Sequence, residues 1–96
     1  MLLGRKVQFL GETKRYEVDY SGWLDACLGE KISEFGVAVN SGDATIENSG
    51  IETDYLRGWF LMDSPSTAQT FSVTVTVSTT RGQVKLDTIE FVVEAP

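Results

Sequence analysis

Phe71-Ser72-Val73-Thr74-Val75-Thr76-Val77-Ser78 alternates without interruption: every odd position is apolar and every even position carries a hydroxyl. A period of two puts the apolar side chains on one face of an extended chain and the hydroxyls on the other. β-Branched residues make up most of the stretch, and they lose less rotamer freedom on a pleated surface than in a helix. It predicts a half-buried β-strand. Thr79-Thr80 then leads into Arg81-Gly82, read as a two-residue turn in which Gly82 takes the positive φ of a tight hairpin. The return strand runs from Gln83 to Glu94, with Val84 and Leu86, then Ile89, Phe91 and Val93 as its apolar set. Its parity changes between Leu86 and Ile89, which predicts a β-bulge near Asp87-Thr88.

Upstream the same period recurs. Lys6 to Leu10 reads as a first strand and Gly11-Glu12 as a turn; Tyr16, Val18 and Tyr20 then alternate with Arg15, Glu17 and Asp19. Ser21 to Gly29 breaks the pattern and accommodates one helical turn, with Ser21 as its cap and Asp25 near the positive end of its dipole. Ile32 to Val39 resumes as a strand and Asn40 to Asp43 turns. Ala44 to Glu47 is a short strand, Asn48-Ser49-Gly50 a turn, Ile51 to Met62 the next strand, and Asp63 to Thr67 a loop. About seven short antiparallel strands predict an all-β chain, an immunoglobulin-like β-sandwich over residues 1–96 as one domain. The expected core is Tyr16, Val18, Trp23, Trp59, Phe71, Val73, Val75, Val77 and Phe91. The Cys…Trp…Cys pattern of antibody domains is missing, so packing alone must hold the sheets together.

Composition narrows the chemistry. The 96 residues are 42% hydrophobic and 23% charged, with a net charge of −6, no histidine and one cysteine, Cys27. Lack of histidine removes the commonest general base and metal ligand, and a lone cysteine excludes an internal disulfide or a CxxC motif. Triad hydrolysis, thiol redox and zinc chemistry are not expected, nor is any cofactor. The longest apolar run, Trp59 to Met62, is four residues, against the ~20 a membrane span needs. A net negative charge argues against phosphate-based nucleic-acid binding. No secretory signal follows Met1-Leu2-Leu3, so synthesis in the cytosol is expected, with action there or release by lysis or within an assembly. Charge is segregated: residues 1–15 carry four basic side chains against Glu12, and residues 17–54 carry nine acids against Lys31. That pattern suits a solvated acidic face or a dipolar module that docks end to end.

Four groupings could carry function. Asp43, Thr45 and Glu47 alternate oxygen ligands that a calcium ion or plain solvent could take. Glu52 and Asp54 share a face as a carboxylate pair, although a glycosidase would also need a cleft. Cys27 beside Trp23 and Leu24 reads as a small buried hydrophobe. Leu56 to Met62 is the anomaly, because Trp59 and Leu61 face one way while Leu56, Phe60 and Met62 face the other. A sandwich strand has one core face. Either a loop such as Ser21 to Gly29 covers the second set, or Leu56, Arg57, Phe60 and Met62 meet another subunit.

Tyr16-Glu17-Val18-Asp19-Tyr20-Ser21-Gly22-Trp23-Leu24 resembles the aromatic opening of small tailed-bacteriophage fibre–tail adaptors. The resemblance continues through Ile32-Ser33, Phe35 and Val37, and through Ala68 to Gly82, to Phe91 and Val93. It covers about residues 12–95, with Asp63 to Thr67 replacing the family's Gly-Gly, Phe71 its usual Tyr, and Arg81-Gly82 its Gly-Arg. The resemblance implies a virion structural protein made in the host cytoplasm, present in several copies and bound to tail, fibre or capsid subunits. It implies no catalysis, no membrane and no nucleic acid. A capsid decoration or cement protein suits the same fold. So does a carbohydrate- or cell-surface-binding module with Trp23 and Trp59 as stacking platforms.

Overall fold

A computed structural model describes residues Met1–Pro96. Its elements in chain order are β1 (Leu2–Phe9), β2 (Thr13–Asp19), α1 (Ser21–Ala26), β3 (Ile32–Val39), β4 (Thr45–Ile51), β5 (Arg57–Asp63), β6 (Gln69–Thr79) and β7 (Val84–Glu94). They build two sheets, ordered β1-β7-β6-β3 and β2-β5-β4, packed as a β-sandwich. One pair departs from the all-antiparallel expectation: β1 runs parallel to β7. These strands lie at opposite ends of the sequence and share no hairpin. The chain leaves β1 for the other sheet at Gly11, whose φ of +85° makes the sharp exit.

The β6–β7 ladder is unbroken from Gln69 opposite Val93 to Ser78 opposite Val84. The expected bulge at Asp87-Thr88 is therefore absent. Instead β7 keeps one parity throughout, with Asp87, Ile89, Phe91 and Val93 inside and Val84 and Leu86 facing solvent. A carboxylate can hold the core position because Tyr20 donates its hydroxyl to Asp87 Oδ2 at 2.9 Å and Lys85 donates to Oδ1. Ladder irregularities fall elsewhere, at Leu2/Gly4, Ile32/Glu34 and Ile46/Asn48. The β6–β7 connection spans Thr80 to Gln83 rather than two residues. Gly82 N–H donates to the Thr79 carbonyl at 3.0 Å and Thr79 N–H to the Gln83 carbonyl at 2.9 Å. Gly82 does take the positive φ, +86°, as the left-handed residue after a turn in a longer hairpin loop.

The chain also turns later than expected between β4 and β5. Asn48-Ser49-Gly50 lies inside β4, and the reversal occurs over Glu52 to Leu56. Two backbone bonds close it, Tyr55 N–H to the Glu52 carbonyl and Glu52 N–H to the Arg57 carbonyl, each at 2.9 Å. Asp54 adds a side-chain cap by accepting the Leu56 N–H at 3.0 Å.

That turn sets the parity of β5. Phe60 and Met62 are fully buried, so they are core residues and not the interface the pattern suggested. Trp59, expected in the core, faces outward and is half-buried with Leu61. The physical reason is that β5 is the central strand of its sheet and its inner face is covered by the opposite sheet. Phe60 stacks on Tyr16 at 5.4 Å and meets Phe91 edge-on at 6.3 Å, and Phe91 stacks on Phe71 at 5.6 Å. Val18, Phe71, Val73, Val75, Val77 and Phe91 are buried as expected, while Tyr16 and Trp23 are half-buried against them. The sheets approach closely at Gly58, where a Cβ would lie 2.2 Å from the Phe35 ring.

Phe60→Ser removes the ring at the centre of this stack and leaves a hydroxyl among apolar groups. It should cost about 3–5 kcal/mol, enough to unfold much of a marginal domain. Urea denaturation followed by circular dichroism checks this; a variant as stable as the parent would mean that β5 faces the other way.

Candidate docking surfaces

The outer face of the three-stranded sheet carries Arg57, Trp59 and Leu61 of β5. Gly50 stands opposite Trp59 on β4, and a Cβ there would lie 2.9 Å from the indole. Lack of a side chain at Gly50 lets the indole lie against the sheet. The Arg15 guanidinium covers it from the other side, 5.2 Å from the ring centre. Arg15 also binds Glu52, and Arg57 bridges Glu17 at 3.1 Å and Asp54 at 3.0 Å. Such exposed pairs add little stability, but they hold both arginines and three carboxylates in fixed positions. The bond from the Leu56 N–H, then Arg57, holds the Asp54 carboxyl below its ordinary range, and Asp54 in turn raises the Arg57 guanidinium.

These contacts account for several residues singled out in the sequence. Glu52 and Asp54 sit in the β4–β5 turn, each paired with an arginine. Asp43 accepts the Ser66 N–H at 3.2 Å and the Ser66 hydroxyl, so it ties down the β5–β6 loop, and these bonds lower its pKa. Glu47 neighbours Asp63, which accepts from the Thr13 hydroxyl. The neighbouring Asp63 carboxylate raises Glu47, while the Thr13 bond leads in lowering Asp63. No three side chains of these types converge as a metal cage. Cys27 is half-buried, its Sγ 3.7 Å from the Gln83 amide oxygen. Of the expected interface set, Leu56 and Arg57 remain at the surface and half-buried, whereas Phe60 and Met62 point inward.

The end of the sandwich that carries α1 is built on buried polar groups. Ser21 does not cap the helix, because it is already the first helical residue; the N-cap position falls on Tyr20, which makes no side-chain cap bond, while the Asp19 carboxylate accepts the Ser21 N–H at 2.8 Å. The Ser21 side chain, then that backbone bond, pulls the Asp19 pKa down. Leu24 is the helix's buried anchor. Glu30, also buried, accepts from the Thr79 hydroxyl at 2.6 Å, the Arg81 N–H at 3.2 Å and the Gln83 amide at 2.7 Å. Led by the Thr79 bond, these donors hold its carboxyl below the ordinary range. The β6–β7 hairpin is thereby pinned to the segment after α1. Near the other end Gln8 is fully buried, donates to the Glu12 and Met62 carbonyls at 2.8 and 3.2 Å, and accepts from the Tyr16 hydroxyl at 2.7 Å.

Sequence reasoning missed Glu30, Asp87 and Gln8. Each polar residue sits on a core position that a hydropathy pattern cannot assign, because its partner is remote in sequence. It also missed two large apolar residues held in left-handed backbone conformations, Leu28 (φ +61°) and Tyr55 (φ +59°).

Residues 9–92 match the family described as podophage GP4 fiber-tail adaptor protein gp77. No curated protein matches the chain. Among solved structures, it superposes on part of a 2,6-sialyltransferase from the Vibrionaceae bacterium Photobacterium sp. JT-ISH-224, with a TM-score of 0.58 and 9% identity. All of this chain is covered, but it spans only 18% of the sialyltransferase. That likeness concerns the fold.

Asp87→Ala leaves the Tyr20 hydroxyl without its acceptor inside the sandwich, and should cost about 1.5–3 kcal/mol in chemical denaturation. An unchanged midpoint would mean that Asp87 contributes nothing to the α1 end. A second expectation concerns alkali. Burial, then Glu12, pushes Tyr16 up to about 12, and burial, then the bond to Asp87, raises Tyr20 further. Both phenols bind their protons more tightly folded than unfolded, so their contribution is intact below ~10, the free-tyrosine value, and is lost as pH rises through the folded values. Absorbance at 295 nm should show phenolate formation lagging that of the denatured chain, with denaturant resistance falling between these limits. Superimposable folded and denatured titrations would contradict the buried placement of the two rings.

Proposed function

This chain belongs to the podophage fibre–tail adaptor family, and we propose that it joins a tail fibre to the tail of the particle through protein–protein contacts alone. The family match over residues 9–92 is the observation that carries the reading. The protein is made in the host cytoplasm, enters the virion in several symmetric copies, and works by the area and geometry of its surfaces. It performs no reaction and binds neither nucleic acid nor membrane.

Several features support such a role. Glu17, Glu52 and Asp54 of the three-stranded sheet and its turn are engaged in ion pairs and turn contacts, which is how a scaffold uses them. The strand order supports an immunoglobulin-like module: β3, β6 and β7 share one sheet and β2, β4 and β5 the other, the division seen in such sandwiches. Leu56 and Arg57 are the surface residues of β5 and its turn that we assign to partner contact. Phe60 and Met62 serve that contact only by fixing the strand beneath it.

Particles assembled without this chain should carry complete heads and tails but no fibres in electron micrographs, and adding the purified protein should restore fibre attachment. Fibres present on such particles would contradict the adaptor role, and loss of density from the capsid surface would identify a decoration protein instead.

A further inference from the structure

Leu28 and Tyr55 are the two non-glycine residues with positive φ, at +61° and +59°. An L-residue with a Cβ is disfavoured there, and glycine or asparagine would make either turn with less strain. Both side chains are nevertheless large, apolar and exposed, Leu28 at 92% and Tyr55 at 55%. Neither side chain is buried in the fold it strains. Strained backbone that displays an apolar group to solvent is a cost that a partner can offset.

Each of the two residues immediately precedes one that lines the same groove. Leu28 precedes Gly29 on the exit from α1, and Tyr55 precedes Leu56 in the β4–β5 turn. Gly29 and Leu56 both line an open groove of about 450 Å³, with Leu24 fully buried beneath it and Asp25, Glu30 and Lys31 among its polar lining. The two segments are tied together, since Ile32 N–H donates to the Tyr55 carbonyl and Tyr20 N–H to the Leu56 carbonyl, each at 2.9 Å.

The charges around this groove divide into two groups. Asp19 accepts the Ser21 N–H at the start of α1, Glu30 binds the β6–β7 hairpin, Glu52 pairs with Arg15, and Asp54 pairs with Arg57. Asp25 and Lys31 line the groove, are exposed, and make no side-chain hydrogen bond or ion pair within the chain. They offer one free negative and one free positive charge beside the half-buried Leu56 side chain.

Resting on the adaptor reading, we infer that the α1 end is a docking end whose groove takes a loop of another virion protein. That loop presents an apolar side chain to Leu56, between a basic residue that meets Asp25 and an acidic residue that meets Lys31. Leu28 and Tyr55 close over its flanks. The exposed Val84 and Leu86, on the regular outer face of the other sheet, are not part of this site.

The test uses the purified full chain with two probes, isolated tail fibres and fibreless tails from particles assembled without it. Leu28→Asn and Tyr55→Asn keep a residue type that tolerates the left-handed backbone, so both should melt at or above the parent temperature. Each should weaken binding to at least one probe tenfold or more. Asp25→Lys, a surface change that does not touch the core, should do the same, and Leu86→Thr should bind like the parent. If the parent binds but Leu28→Asn, Tyr55→Asn and Asp25→Lys bind equally well, the docking end lies elsewhere and the adaptor role stands. Equal loss in Leu86→Thr would move the site to the sheet face and overturn the inference. Loss confined to self-association would make the occupant a second copy, which also overturns it. A parent that binds neither probe refutes the adaptor reading itself.

Discussion

The aromatic stack between the two sheets governs the rest of the molecule. Tyr16 and Phe60 come from the three-stranded sheet, and Phe71 and Phe91 from the four-stranded one. Tyr16 meets Phe91 edge-on at 5.0 Å, alongside the Phe60 contact. A side-chain period of two means that placing Phe60 inside fixes every other residue of β5. Met62 must then lie in the core, and Arg57, Trp59 and Leu61 must lie outside. One buried ring therefore decides which surface β5 shows to a partner.

The same constraint explains how polar groups are distributed. Interior positions that strand parity hands to Asp87 and Gln8 are tolerated because each finds a donor or acceptor across the sandwich. Glu30 does the equivalent for the β6–β7 hairpin. The Asp87 and Glu30 contacts fasten the α1 end, and backbone bonds hold the neighbours of Leu28 and the Tyr55 carbonyl itself. A rigid presentation loses less conformational entropy when a partner binds.

Much of the fold was legible in the residues. The Phe71 to Ser78 alternation identified β6, its facing and its hairpin glycine, because one strand's period is a local property. Strand pairing is not local. Leu86 and Ile89 suggest a bulge because Val84 and Leu86 count with the apolar set, yet both face solvent, and only Tyr20 and Lys85, met in three dimensions, make the burial of Asp87 acceptable. Leu56 to Met62 showed two apolar faces, but nothing in that stretch says that Trp59 lies against Gly50 with Arg15 over its ring. The family resemblance carried the function, and the docking end was not visible, since a residue's φ is set by the loop around it.

Hydroxyl-radical footprinting of the protein, free and within intact particles, tests the central claim most directly, because it reads side-chain exposure where the adaptor works. Leu28 and Tyr55, exposed in the free chain, should become strongly protected on assembly, while Val84 and Leu86 keep most of their reactivity. Unchanged oxidation of Leu28 and Tyr55, with protection confined to Val84 and Leu86, would contradict the account.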